Sequence, residues 1–172
     1  MAYVVHFLPL QPGADWVDAL ERQEREQAQR EREHGAGLAD IVRPDWWRIA
    51  SHTHRVLPEV ELRRTQRGLT FVDRAHGLTL DVEEGEITLS LPYTRDEARA
   101  REALLLAQRI AAFIELETER IAIDAQLGEP FLGGEDLVAR AAHCITSTRL
   151  ALDRRRPEPR REDTGASRPR VL

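Results

Sequence analysis

Residues 76–93, HGLTLDVEEGEITLSLPY, constrain the fold more than any other stretch of this chain. Leu78, Leu80 and Val82 alternate with Thr79, Asp81 and Glu83, and Ile87, Leu89 and Leu91 alternate with Glu86, Thr88 and Ser90. A two-residue turn at Glu84-Gly85 pairs Val82 with Ile87, Leu80 with Leu89 and Leu78 with Leu91. All six aliphatic side chains then lie on one side, which is the requirement of a half-buried antiparallel hairpin. The pattern defines an inside and an outside without specifying any reaction.

Runs with similar alternation surround this hairpin. Residues 60–64 and 69–73 precede it, separated by Gln66-Arg67-Gly68, and with the hairpin they form a meander. Near the start of the chain, YVVHFLPL is β-rich and stopped by Pro9 and Pro12, and it is expected to join the sheet. Asp15 can cap a helix over residues 16–33, whose later part, RQEREQAQRERE, pairs Glu with Arg at helical spacing but has no apolar stripe. A second helix is expected from residue 40 or from Pro44 to Leu57, with Trp46, Ile49, Ala50, Thr53 and Leu57 on one face.

Thr94-Arg95-Asp96-Glu97 has the form of a capping box, so a long helix should begin at Thr94 and reach about Glu117. Its buried stripe would be Ala103, Leu106, Ala107, Ile110, Phe113 and Ile114. A short strand over residues 121–124, a loop over 126–134 and a last helix from about Gly134 complete the body. That helix would use Leu137, Ala141, Cys144, Ile145 and Thr148 inward. The architecture expected is α+β: an antiparallel meander of four to five strands, helices packed on one face, and the N-terminal helices around an edge. Residues 1–152 form a single globular domain, and the Arg/Pro-rich residues 153–172 read as a disordered tail.

Charge narrows the class of partner. All 25 basic residues are arginine, so the chain has no lysine for a Schiff base or phosphate ligand. Of the net charge of −5, the tail carries seven Arg against four acids, leaving 18 Arg against 26 acids in the body. An acidic body disfavours nucleic acid and favours a cationic protein partner. The interrupted Arg-rich tail reads as solubilising rather than as a nucleic-acid arm. The single cysteine, Cys144, excludes an intramolecular disulfide and a Cys-rich zinc site. No apolar run approaches the roughly 20 residues of a membrane span, so a cytoplasmic protein without membrane contact is expected.

Few residues point to chemistry. His52 and His54 diverge by about 200° if helical, so they cannot share a metal there. Cys144 and His143 are helical neighbours and do not face each other. No phosphate-loop, dinucleotide or nucleophile-elbow motif occurs, and no cofactor or metal is expected. Trp46-Trp47 is different. Neighbouring helical side chains point about 100° apart, so one indole belongs in the core and the other at the boundary or outside, where it can anchor a partner. Glu83, Glu84 and Glu86 at the hairpin tip, with Glu115, Glu117 and Glu119, make an acidic rim.

The meander ending ITLSLPY, the long helix and then IAIDAQLG resemble a loose family of small bacterial proteins with "VPYW" strands and a "YDPQ-x-G" turn. Pro92, Tyr93, Asp124, Gln126 and Gly128 fit this pattern, while Thr94, Ile123 and Ala125 depart from it. The resemblance implies an immunity or accessory protein of a toxin system. Together these features point to a non-enzymatic protein-interaction module using Trp46, Trp47, Tyr93, Asp124, Gln126, Glu83 and Glu84. The alternative is a small-molecule or metal-binding enzyme with a cleft near His52, His54 and Asp124.

Overall fold

A computed structural model of the chain describes residues 2–9, 15, 17–19, 21–22, 25–26, 29, 44–65, 68–83, 85–134 and 136–154. The fold is α+β, built on a wholly antiparallel sheet. The sheet has seven strands rather than four or five: β1 (Ala2–Leu8), β2 (Glu61–Arg64), β3 (Gly68–Asp73), β4 (Leu78–Glu83), β5 (Glu86–Pro92), β6 (Ile121–Asp124) and β7 (Glu129–Pro130), in the order β2-β3-β4-β5-β1-β6-β7. The additional width comes from β6, which pairs with β1, and from β7, which forms where a loop was expected, and β1 enters between β5 and β6.

The hairpin register is the one that alternation requires. Val82 faces Ile87 and Leu80 faces Leu89, and Glu83 opposite Glu86 leaves a two-residue turn containing Gly85 at φ 83°. Glu84 lies outside the described residues. One continuous row crosses five strands, Phe71–Leu80–Leu89–Val5–Asp124, and every member is buried. Fully burying an aliphatic side chain contributes roughly 1.5–3 kcal/mol, so such rows supply most of the sheet's adhesion to the helices. The two edges differ in their protection. All four residues of β2 are exposed, three of them charged, and β7 is two residues ending in proline, both common means of discouraging further strand addition.

Three helices share the buried face: α1 (Pro44–Val56), α2 (Glu97–Thr118) and α3 (Leu137–Arg154), with α2 packed against both others. The inner face of α1 is the expected one, and Trp46, Ile49, Ala50, Thr53 and Leu57 are all buried. The Thr53 hydroxyl is satisfied by donating to the Ile49 carbonyl at 2.8 Å. On α2, Ala100, Ala103, Ala107 and Ala111 are buried beside Leu104, Ile110 and Ile114, while Leu106 and Phe113 are only partly buried. On α3 the buried residues are Leu137, Ala141, Ala142, Ile145 and Thr146, with Cys144 and Thr148 at the boundary.

The start of α2 differs from the capping-box expectation. Asp96 is the N-cap, its carboxylate accepting from the Arg99 amide at 3.1 Å, and Thr94 instead accepts from the Asp96 amide at 3.2 Å. Aspartate is as good a cap as threonine, and the longer lead-in lets the chain leave β5 through Pro92-Tyr93 before the helix begins.

A second, smaller contact lies across the sheet. Residues 17–19, 21–22, 25–26 and 29 are helical, and Asp15 accepts from the Val17 amide at 2.8 Å. Ala19 is buried with Leu8 and Ile123, whose positions in β1 and β6 face away from the main core. At the other end of the body, Asp153 belongs to α3 and pairs with Arg95 and Arg149. Of the tail expected over residues 153–172, Asp153 and Arg154 are helical and residues 155–172 lie outside the described residues, as do residues 30–43.

Candidate functional site

A cleft of about 240 Å³ opens where β5 leaves the sheet and α2 begins. The β3–β4 turn forms one wall, Pro92-Tyr93-Thr94 another, and the first turns of α2 a third. Leu91, Ala100, Ala103 and Ile145 give it an apolar floor, and Arg74, His76, Tyr93, Thr94 and Arg99 are its polar lining. Gly77 closes the turn wall against Pro92. A Cβ at this position would sit 2.7 Å from the proline ring, and its φ of 72° also favours glycine.

The turn is organised by one buried carboxylate. Asp73 ends β3 on the inner face, 3% exposed, and accepts from the Ala75 amide at 3.2 Å, the His76 amide at 3.1 Å and the His76 Nδ1 at 2.6 Å. Donation from Nδ1 assigns the imidazole proton to that atom and leaves Nε2 as the second polar position, 3.7 Å from the exposed Glu102. Arg99 reaches from α2 to donate to the Ala75 carbonyl at 2.6 Å, tying the turn to the helix. Arg74 leans away toward Glu61, at 2.9 Å. Burial pushes the Tyr93 phenol above its ordinary pKa, and the nearby Cys144 adds to this, so the phenol remains a hydrogen-bond donor at neutral pH.

Among the described residues expected from sequence to carry function, Tyr93 alone is in the lining of this cleft. Trp46 and Trp47 part as helical geometry demands: Trp46 is 4% exposed and Trp47 is 54% exposed. Trp47, Ser51 and His54 are all exposed and share one stripe of α1. Arg48 and His52 lie on the opposite flank, against α2, through the 3.1 Å Arg48–Glu117 pair and a parallel stack of His52 on Phe113 at 3.9 Å.

Asp124 is interior rather than on a binding surface. It accepts hydrogen bonds from the Tyr3 hydroxyl, the Gln126 amide at 2.9 Å and the Leu127 amide at 3.0 Å. Burial raises its pKa, against the lowering effect of the Leu127 and Gln126 amides. Gln126 is exposed, yet its side-chain oxygen accepts from the Val4 amide at 3.0 Å, just past the residues of β1 that pair with β6. The Asp124–Gly128 turn therefore serves the sheet. The acidic rim is also partly engaged: Glu115 accepts from the Ala122 amide, Glu117 pairs with Arg48, and Glu83 is half-buried beside Glu86 in the ladder. Arg120 ties this end together by donating to the carbonyls of Phe7 and Gly85, each at 3.1 Å.

His52 stacks on Phe113, His54 is exposed on α1, and Asp124 is buried against Tyr3. Among the described residues, no three His, Cys, Asp or Glu side chains are grouped so as to hold a metal ion. Burial raises the Cys144 thiol pKa, with the Asp124 charge acting in the same direction, so the thiol stays protonated and weakly nucleophilic.

The Asp73–His76 turn and Arg99 escaped the sequence reading. The available signal was an Asp-x-x-His spacing directly after a strand, a common side-chain-capped turn. No family model matches the chain, and no curated protein or solved structure matches it either.

Proposed function

We propose that this chain is a non-enzymatic protein-interaction module of the immunity or accessory kind, docking on a cationic protein partner around Trp47. The observation that carries the reading is the 54% exposure of the Trp47 indole on a helix fixed in place by its neighbour Trp46. A large aromatic held on a rigid element loses little entropy on binding and is a frequent energetic centre of interfaces. The net charge of −5 favours approach of a basic surface, and an arginine-only set of cations favours planar, hydrogen-bonded pairing over loose point charges. The functional groups most often used in catalysis have structural partners here: Asp124 holds Tyr3, His52 stacks on Phe113, and the Cys144 thiol is kept neutral.

The same reading places the protein in the cytoplasm. Among the described residues no helix is long and apolar enough to cross a membrane. Co-expression with the products of adjacent genes, followed by titration calorimetry on any complex recovered, tests the proposal. Trp47→Ala should weaken a genuine complex by about 2 kcal/mol or more, roughly thirtyfold, and added salt should weaken it further. A complex whose affinity ignores both changes would overturn the reading.

A further inference from the structure

We infer that the cleft between the β3–β4 turn and the start of α2 is a binding site for a small organic carboxylate with an apolar body. This goes beyond the interaction reading, because no described lining residue of the cleft belongs to α1. Among the described residues, every charged or titratable side chain lining it is an arginine, a histidine or a tyrosine, and no carboxylate does so. Of the nearby acids, Asp73 is sealed beneath the turn, Glu61 accepts from Arg74, Asp96 caps α2, and Glu102, 3.7 Å from His76 Nε2, stays exposed outside the lining. The lining is therefore donor-rich, while the floor of Leu91, Ala100, Ala103 and Ile145 is aliphatic. Such a division suits a ligand with an anionic head at the rim and a hydrocarbon portion within.

The donors are also pre-positioned. Arg99 uses one of its N–H groups on the Ala75 carbonyl, which fixes the guanidinium at the rim and leaves its other donors available. His76 spends its Nδ1 proton on Asp73, so its Nε2 is not among these donors. The Tyr93 hydroxyl, held neutral, provides another donor. With Arg74 already shared with Glu61, the rim offers little more than one uncommitted positive charge, which matches a monocarboxylate better than a phosphate dianion. The volume of about 240 Å³ equals roughly eight waters of liquid, enough for a single ring or a short chain.

The test is a two-dimensional amide NMR titration of the full chain with benzoate and hexanoate, with benzamide and phenyl phosphate as comparators. Saturable shifts at millimolar carboxylate, centred on residues 74–77 and 93–103, are expected, and benzamide should bind at least about tenfold more weakly. Arg99→Gln should reduce benzoate affinity about tenfold or more. Because Arg99 also braces the turn, Tyr93→Phe is the companion variant; it removes only a hydroxyl and should still weaken benzoate several-fold. The inference fails if neither carboxylate produces saturable shifts at these residues, if benzamide binds as well as benzoate, or if phenyl phosphate binds more tightly.

Discussion

Replacing Asp124 with alanine is the most direct test of how the β1–β6 end of the sheet is held together. The carboxylate is fully buried and receives three donors: the Tyr3 hydroxyl and the amides of Gln126 and Leu127. Tyr3 is itself fully buried, so its orphaned hydroxyl would cost about 1–3 kcal/mol. The two turn amides are partly accessible to water, and losing their bonds costs about 0.5–1.5 kcal/mol each. The sum is roughly 2–6 kcal/mol, and a central value near 4 lowers the melting temperature of a chain this size by about 8–16 °C. Urea and thermal unfolding of Asp124→Ala beside Asp124→Asn would measure it.

The asparagine variant retains an acceptor for the turn and should lose far less. Its relative stability should also depend on pH with a definite sign. Because burial raises the native pKa of Asp124, the native state binds this proton more tightly than the unfolded chain does. The stability this group contributes is therefore present below its unfolded pKa and is lost as pH rises through the higher native value. Asp124→Asn should accordingly compare better with the wild type at pH 7 than at pH 4. An Asp124→Ala protein within about 0.5 kcal/mol of wild type would show that the side chain faces water, and the reasoning would be refuted.

Trp46→Ala should cost about 3–5 kcal/mol in urea unfolding, whereas Trp47→Ala should stay within about 0.5 kcal/mol, and equal losses would contradict the division of the two indoles. His52 has its pKa lowered by burial, an effect opposed by the Arg109 backbone and reinforced by the Arg55 and Arg109 charges, and its buried Nε2 has no acceptor. Folding stability should therefore fall as pH drops below about 6.5, where the unfolded histidine takes up its proton first, and His52→Gln should flatten this slope in unfolding midpoints measured from pH 7.5 to 5.5. Asp96→Ala should cost about 1 kcal/mol and Thr94→Ala clearly less, a ranking that calorimetric melting can check and that a capping box at Thr94 would reverse.

The fold was most legible where one side of a segment faces the core and the other faces water. In β4 and β5 a period of two appears directly in the residues, and register follows from it. In β1 and β6 that contrast is lost. Tyr3, Val5 and Phe7 face the helices, but Leu8 on the opposite side is also buried, under Ala19 with Ile123. Apolar residues on both faces mark a central strand without saying which strands flank it, so the insertion of β1 between β5 and β6 had no local signal. Residues 121–124 mislead more strongly. Ile121 and Ile123 invite an inward assignment, yet the pairing of Ala122 with Phe7 and Asp124 with Val5 turns the small and the acidic residue toward the helices. A carboxylate in that place is tolerated because Tyr3 and the turn amides satisfy it. Strand β7, two residues ending in proline, exists only because β6 is there to pair with it.

The same distinction governs the candidate sites. The division of Trp46 from Trp47 depends on the rotation between successive residues of one helix, a local quantity that survives any tertiary arrangement. The cleft depends on β3, β5, α2 and α3 meeting, and Arg99 acquires its place there by bridging 24 residues to Ala75. Asp73 and His76 are close enough in sequence for their turn to be guessed, but whether the imidazole borders a cleft or open solvent is decided by Pro92 and the start of α2, not by the turn itself. Chemistry assembled from one helix can be read ahead of the structure; chemistry assembled across a sheet requires the strand order first. In this chain the strands bordering the cleft follow one another in the meander, so the grouping of its side chains turned on where α2 and α3 seat against them.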